Sequence, residues 1–142
     1  LYGSTSAYGI ASHRHNAEIQ QELSYIKKNI EFTFTPHILP MFRGILSTIY
    51  LNYKSKANLN KIYNELRRFY MSHKFIKILK NKALSTNDVI NTNNCQISVC
   101  KSKDKKKLII LSSIDNLIKG GAGQAVQNLN LIFNFKLNEG LK

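Results

Sequence analysis

The segment His13-Arg14-His15-Asn16-Ala17-Glu18-Ile19-Gln20-Gln21-Glu22-Leu23 organises the first third of this chain of 142 residues. Asn16 is a favoured N-cap residue, because its side-chain oxygen can accept backbone N–H groups of a first helical turn. Apolar residues then recur at the spacing of one helix face: Ile19, Leu23 and Ile26. The sequence therefore predicts a helix capped by Asn16, with two histidines and an arginine just before it.

This placement gives the histidines two possible roles. Histidine exchanges protons near neutral pH, so His13 and His15 are candidates for acid–base chemistry. The N-terminus of a helix also favours an anionic ligand nearby. The alternative is that both are surface residues of a loop, and these eleven residues alone leave both interpretations open.

Size and composition indicate one domain. The chain is 43% hydrophobic and has no apolar run of 18 residues, so no membrane-spanning helix is expected. Cys95 and Cys100 do not have the spacing of zinc ligands, and no metal site is expected. The chain starts without Met and without a signal-peptide pattern, so we expect a cytoplasmic piece of a longer protein.

The net charge of +13 raises the possibility of a nucleic-acid-binding module. Only four residues are arginines, however, and arginine is the residue that recognises phosphate with two parallel hydrogen bonds. A joint excess of Lys, Asn and Ile is typical of AT-rich codon usage. We therefore do not expect a nucleic-acid partner and keep this function as an alternative.

Periodicity predicts an α+β domain with a mixed, mostly antiparallel sheet packed against helices. Strands are predicted at 30–35, 45–53 and 75–79, a helix at 59–70 and a loop at 84–94. Residues 95–100 and 108–113 are predicted to form a hairpin around the lysine-rich segment 101–107. Glycines precede a last helix, whose apolar face is Ala122, Val126, Leu129 and Phe133.

Three glycines precede the last helix. Gly121 and Gly123 form only part of the dinucleotide-binding pattern G-x-G-x-x-G, and no βαβ unit surrounds them. Glycines at this density allow a close approach of the backbone, either to another helix or to the flat face of a ligand.

Four stretches, in this order, resemble one family. They are residues 8–19 with H-R-H-x-x-E-I, residues 34–45 with T-P-H-I-L-P-M-F-R-G-I, residues 92–97, and residues 113–128 with G-x-A-G-Q-A-V-Q-N, in which Gly121 stands where the family usually has Ala. The chain thereby resembles the C-terminal half of the N-acetyl-γ-glutamyl-phosphate reductases, an arginine-biosynthesis family related in mechanism to aspartate-semialdehyde dehydrogenase.

The resemblance implies an NADPH-dependent reaction on a small acyl phosphate. A cysteine thiolate forms a thioester and expels phosphate, and reduction then gives the semialdehyde. A related acyl phosphate from a lysine-type pathway remains an alternative substrate, because one methylene changes binding by only about 1–3 kcal/mol. The resemblance also implies a homo-oligomer.

The resemblance further implies roles for individual residues. His13 matches the acid/base histidine, while His15, Glu18, Arg14 and Arg43 are candidates for orienting it or binding substrate. The segment that returns to the cofactor domain supplies candidates for contacts near the nicotinamide: Asn116, Gly120, Gly121, Gly123 and Gln124.

The family's dinucleotide-binding domain and its nucleophilic cysteine have no counterpart in this chain. We therefore expect residues 1–113 to form the catalytic and dimerisation domain, and residues 114–142 to form a return segment and a helix that dock on the missing domain. The chain by itself is expected to be inactive, because neither Cys95 nor Cys100 matches the nucleophile.

Overall fold

The computed structural model describes residues 3–52 and 58–142. The chain divides after Phe42 into two units, Leu1–Phe42 and Arg43–Lys142. Each unit has its own sheet. In the part of the chain that the model describes, no helix has both the length and the hydropathy needed to cross a membrane.

The first unit contains β1 (Ser6–Ala7), α1 (His15–Ile26) and β2 (His37–Ile38). The two short strands pair in antiparallel fashion. None of the described residues of this unit is fully buried, and Ile26 on the predicted apolar face of α1 is 80% exposed. Local hydrogen bonds therefore determine much of its conformation.

The prediction that Asn16 caps α1 is wrong, because the helix begins at His15 and Arg14, two residues before Asn16, occupies the N-cap position. Asn16 instead donates its backbone N–H to the His13 carbonyl at 2.9 Å. The side-chain acceptor at this end is Nδ1 of His13, which accepts the backbone N–H of His15 at 3.2 Å. The imidazole of His13 therefore accepts a backbone N–H at the start of the helix, which is the role predicted for the Asn16 amide.

The predicted strand at residues 30–35 is also wrong. Its alternation is present, since Ile30, Phe32 and Phe34 are half-buried and the residues between them are exposed. Residues 31–36 nevertheless pair with no strand of the described chain, and β2 begins only after Pro36. An alternating pattern predicts a surface that is covered on one side, and a ladder also needs a partner strand.

The second unit confirms the α+β prediction. It contains β3 (Ile45–Asn52), α2 (Leu59–Phe69), β4 (Ile76–Lys80), β5 (Cys95–Lys101), β6 (Lys107–Ile114) and α3 (Gly123–Ile132). The sheet order is β3-β6-β5-β4, in which only β4 and β5 run parallel. The predicted hairpin is β5–β6, and Tyr53 of the predicted second strand lies outside the described residues.

Helix α2 covers one face of this sheet. Leu59, Val99 and Leu108 form the buried cluster, and Ile62, Leu66 and Ile110 pack against it. On the opposite face, the loop between β4 and β5 contacts the sheet: Lys82 donates its backbone N–H to Ser98 Oγ, and Ser113 Oγ donates to the Ser85 carbonyl. Strands β6 and β5 are the two inner strands of the sheet.

Exposed apolar side chains of the second unit include those on β3 and those on and after α3. All eight residues of β3, an edge strand, are exposed, including Leu46 at 49% and Tyr50 at 68%. On α3, Leu129 of the predicted apolar face is 46% exposed and Phe133, which follows the helix, is 63% exposed. The first surface is continuous with the sheet, and the second lies at the C-terminal end of the chain.

Candidate functional site

A tight turn before α1 positions His13. The carbonyl of Gly9 accepts the backbone N–H groups of Ser12 at 3.1 Å and His13 at 2.9 Å. Gly9 has φ of +56°, and a Cβ there would lie 3.1 Å from Cβ of His13. Glycine is therefore needed for both backbone conformation and space. Sequence reasoning missed this role, although a glycine four residues before the candidate histidine was visible in the matched motif.

Aromatic rings surround the imidazole of His13. It makes edge-to-face contacts with Tyr8, Phe34 and His15, at centroid distances of 5.2, 5.5 and 4.7 Å. Such contacts restrict the rotation of the ring. His13 is itself half-buried.

The hydrogen bond to Nδ1 determines the tautomer of the neutral ring. A backbone N–H can only donate, so Nδ1 of His13 is the acceptor and the ring proton is on Nε2. In this form Nε2–H can donate a hydrogen bond to an oxygen that gains negative charge. Transferring a proton, in either direction, involves the imidazolium, in which Nδ1 is also protonated and the bond from His15 is broken. The geometry thus favours the neutral ring of His13 as a hydrogen-bond donor through Nε2.

The other predicted residues of this unit lie at the start of α1. Nε2 of His15 lies 4.0 Å from Oε2 of Glu18, and their side chains are 45% and 71% exposed. Glu18 therefore contacts His15 and not His13, and an exposed pair at this distance is weak. The side chain of Arg14 is exposed at the start of α1.

In the second unit, Arg43 is bound to a fully buried carboxylate. Its Nη1 lies 3.1 Å from Oδ2 of Asp115 and 2.6 Å from Oδ1 of Asn91. Asp115 is 0% exposed and also accepts the backbone N–H groups of Asn91, Leu117 and Ile118. We call these five residues the Asp115 cluster. Sequence reasoning did not single out Asp115.

The hydrogen bonds of the cluster keep Asp115 ionised. Burial acts to raise the pKa of its carboxyl, but the three backbone N–H donors and the Arg43 charge outweigh it. The pKa of Asp115 therefore lies below its ordinary value. An ionised carboxylate therefore pairs with Nη1 of Arg43.

The segment that follows contains the predicted cofactor contacts, and the structure divides them. Asn116 Oδ1 accepts the backbone N–H of Gly44 at 2.6 Å, so this side chain connects the ends of β3 and β6. Gly123 is buried, and a Cβ there would lie 2.5 Å from Oδ1 of Asn93. Gly123 therefore allows α3 to approach its neighbour closely.

The remaining members of that set face outward. Gly120 and Gly121 are exposed, and a Cβ at Gly121 would meet only the Asn116 carbonyl, at 3.4 Å. Gln124 donates from its amide to Asn128 Oδ1 at 2.9 Å. The backbone of Gly120 and Gly121 is therefore accessible, while Asn116 and Gly123 maintain the shape of the segment.

Cys95 does not have the environment of a nucleophile. Cys95 Sγ lies 3.7 Å from Ser112 Oγ, and burial raises the pKa of its thiol above the ordinary value, despite this hydrogen bond and the charge of Lys119. A raised pKa leaves less of the reactive thiolate at neutral pH. Among the residues that the structure describes, no group of three or more His, Cys, Asp or Glu side chains could hold a metal ion.

Comparison with known proteins connects this geometry to a family. Residues 1–116 match the family model described as semialdehyde dehydrogenase, dimerisation domain. The chain belongs to this family. An N-acetyl-γ-glutamyl-phosphate reductase of Clostridium botulinum is 48% identical over 94% of this chain, and one of Campylobacter jejuni is 46% identical over 96%. The chain spans 40% of the length of each of these two relatives.

Solved structures show the same fold for this dimerisation domain. The aspartate semialdehyde dehydrogenase of Francisella tularensis matches 82% of this chain with a TM-score of 0.62 and 18% identity, using 34% of its own length. Aspartate semialdehyde dehydrogenase II of Vibrio cholerae matches 70% of this chain with a TM-score of 0.56 and 16% identity, using 30% of its own length. At these identities the likeness concerns the fold alone.

Proposed function

We propose that the protein containing this dimerisation domain is an NADPH-dependent reductase that converts N-acetyl-γ-glutamyl phosphate to N-acetylglutamate semialdehyde in arginine biosynthesis. One observation carries this proposal: relatives of that name are 44–48% identical to the chain over 94–97% of its length. A cytoplasmic location is part of the proposal.

The reaction has two halves, thioester formation and reduction to the aldehyde. A thiolate outside this chain attacks the acyl carbon, so that a C–S bond forms while the bond to phosphate breaks. The reduced nicotinamide supplies the hydride that reduces the resulting thioester. The C–S bond then breaks to release the aldehyde. The family is one of dehydrogenases, which implies a nicotinamide cofactor, and NADP is the specific form that we propose.

His13 would act where negative charge develops on oxygen. Its Nε2–H can stabilise the oxygen of the acyl group during attack and hydride transfer, because the backbone N–H of His15 fixes the proton on that nitrogen. As the imidazolium the same ring would donate a proton, and a positioned acid contributes roughly 10²- to 10⁴-fold to a rate. His15, Glu18 and Arg14 would contact substrate at the exposed side of the turn.

Arg43 would bind the carboxylate or phosphate of the substrate. A guanidinium presents five N–H groups, and Nη1 of Arg43 is held by Asp115 and Asn91. Gly120, Gly121 and Gln124 would lie on the nicotinamide side, with Asn116 and Gly123 supporting them.

The proposal assigns an interface to the exposed apolar side chains of β3 and another to those of α3. Strand β3 is a long, exposed apolar edge, and such edges are covered in stable proteins. We assign it to the interface of a homodimer. The exposed face of α3 would dock on the dinucleotide-binding domain, with residues 1–113 as the catalytic and dimerisation part and residues 114–142 as the return segment.

Turnover by the full-length protein tests the proposal. NADPH oxidation should depend on N-acetyl-γ-glutamyl phosphate, and the acyl phosphate that is one carbon longer should react more slowly. A preference for the longer substrate would assign the protein to the alternative pathway, and no turnover with either substrate would refute the proposed activity.

The isolated chain of 142 residues is the matched control. It should show no NADPH oxidation, because the thiol of Cys95 is disfavoured as a thiolate. Turnover by the isolated chain would contradict this assignment of the nucleophile.

A further inference from the structure

The hydrogen bonds of Asp115 divide between its two carboxylate oxygens. Oδ1 accepts the backbone N–H groups of Leu117 at 2.8 Å and Ile118 at 3.1 Å. Oδ2 accepts the backbone N–H of Asn91 at 2.8 Å and Nη1 of Arg43 at 3.1 Å. Oδ1 therefore holds the start of residues 117–123, which we call the glycine segment, and Oδ2 holds the arginine.

The backbone around Asp115 extends this division. Its carbonyl accepts the N–H of Gly120 at 3.0 Å, so Asp115 contacts three backbone donors of the segment it precedes. Its neighbour Asn116 accepts the N–H of Gly44, the residue after Arg43. These contacts continue the β3–β6 pairing beyond its last ladder pair, Ile45 with Ile114.

We infer that Asp115 is a positioning residue that fixes Arg43 and the glycine segment relative to each other through a single buried carboxylate. The inference rests on the proposed function, in which Arg43 binds the acyl phosphate and the exposed glycines face the nicotinamide. Neither ligand needs to touch Asp115, because it acts on both through the groups that it binds.

The charge and symmetry of the carboxylate explain why an amide cannot replace it. All four groups that contact the two oxygens are donors. An asparagine has one oxygen and one NH₂ group. Its NH₂ group would therefore face other donors, either Arg43 and the Asn91 N–H or the N–H groups at the start of the glycine segment. A buried donor without an acceptor is costly, and the backbone on that side would move.

Asp115→Asn in the full-length enzyme tests the inference. It should raise the KM for both acyl phosphate and NADPH and lower kcat/KM by roughly 10²-fold, which is the cost of a displacement of about 1 Å at a reacting centre. Asn130→Ala is the matched control, because Asn130 is 2% exposed and donates to the Leu137 and Glu139 carbonyls outside the cluster. It should lower Tm while leaving both KM values unchanged.

A milder variant keeps the inference testable if Asp115→Asn does not fold. Asn91 has φ of +62°, a conformation that glycine adopts easily. Asn91→Gly keeps the backbone N–H to Asp115 and removes only the side-chain oxygen that holds Arg43. The KM for acyl phosphate should rise roughly 3- to 10-fold, the effect of about one hydrogen bond, and the KM for NADPH should not change.

The outcomes separate this inference from the proposed function. A wild-type enzyme that does not reduce the acyl phosphate refutes the function. If the wild-type enzyme is active, unchanged KM values in Asp115→Asn overturn the inference, and so does an equal rise in the Asn130→Ala control. Should only Asn91→Gly be foldable, an unchanged KM for acyl phosphate in that variant overturns it.

Discussion

The two units hold their candidate residues in different ways. In Leu1–Phe42 no described residue is buried, and His13 is held by a glycine turn, three rings and one backbone hydrogen bond. In Arg43–Lys142 a hydrophobic cluster supports the sheet, and Arg43 is held by a carboxylate that is 0% exposed. Substitutions in the first unit can therefore separate chemistry from stability, whereas most substitutions in the second unit change both.

The largest effect should come from His13→Asn in the full-length enzyme. Asparagine can still accept the backbone N–H of His15, so the end of α1 stays capped and folding should be nearly unchanged. The acid is lost, so kcat should fall by roughly 10²- to 10⁴-fold and the limb of the pH–rate profile that reports this histidine should disappear. Steady-state kinetics across pH measures both.

His15→Asn is the control for this prediction. It keeps the backbone N–H that orients His13, so its smaller effect should appear partly in KM. If His15→Asn removes the pH limb and His13→Asn retains it, the roles of the two histidines are reversed.

A pair of core truncations should show the difference in packing between the units. Leu108 is 2% exposed within the buried cluster, so Leu108→Ala should lower the free energy of unfolding by roughly 2–5 kcal/mol. Leu23 on α1 is only half-buried, and Leu23→Ala should cost less than about 1 kcal/mol. Urea unfolding of the isolated chain measures both. Equal losses would show that the first unit has a core of its own.

The buried carboxylate should make stability depend on pH in the second unit. Its pKa is lowered in the folded chain, so its contribution is present above the unfolded value of about 3.9 and is lost as pH falls through the folded value. Asp115→Asn should lower the free energy of unfolding by roughly 1–3 kcal/mol at pH 7. This difference from the wild type should shrink below about pH 4.

Urea unfolding at pH 7, 5 and 3 measures this dependence. Asp104→Asn, at an exposed carboxylate of the hairpin tip, is the control and should show little dependence. A constant difference between Asp115→Asn and the wild type over this range would contradict an ionised Asp115.

Much of the second unit was predictable, because its elements are long and periodic. The amphipathic pattern of 59–70 and the two strands around the lysine-rich tip correspond to α2 and the β5–β6 hairpin. The sequence could not show that residues 30–35 form no strand, because an alternating pattern reports burial on one side and not the presence of a partner strand. The cap of α1 was misassigned because helix-capping rules favour asparagine, while here an imidazole accepts the bond.

The candidate site was predictable in part. Arg43 was singled out from the sequence, but its partner Asp115 lies 72 residues away along the chain, and no local pattern indicates such a contact. The glycines were expected to allow close approach, and the structure shows which partner each one has. Gly123 approaches Asn93, whereas Gly120 and Gly121 remain exposed.

The smallest expected effect distinguishes these glycines. A Cβ at Gly121 would meet only the Asn116 carbonyl at 3.4 Å, an ordinary contact, so Gly121→Ala should change the free energy of unfolding by less than about 0.5 kcal/mol. Gly123→Ala would place its Cβ 2.5 Å from Asn93 Oδ1 and 2.8 Å from the Ile118 carbonyl, so it should cost roughly 1–3 kcal/mol by overpacking.

The KM for NADPH should rank the same two variants in the opposite order. The added methyl group of Gly121→Ala lies on the exposed side proposed to face the nicotinamide, so Gly121→Ala should change the KM for NADPH more than Gly123→Ala does. Thermal unfolding and the KM for NADPH, measured on both variants of the full-length enzyme, provide the comparison. A destabilisation by Gly121→Ala equal to that by Gly123→Ala would mean that Gly121 is enclosed, and the proposed nicotinamide side of the segment would be wrong.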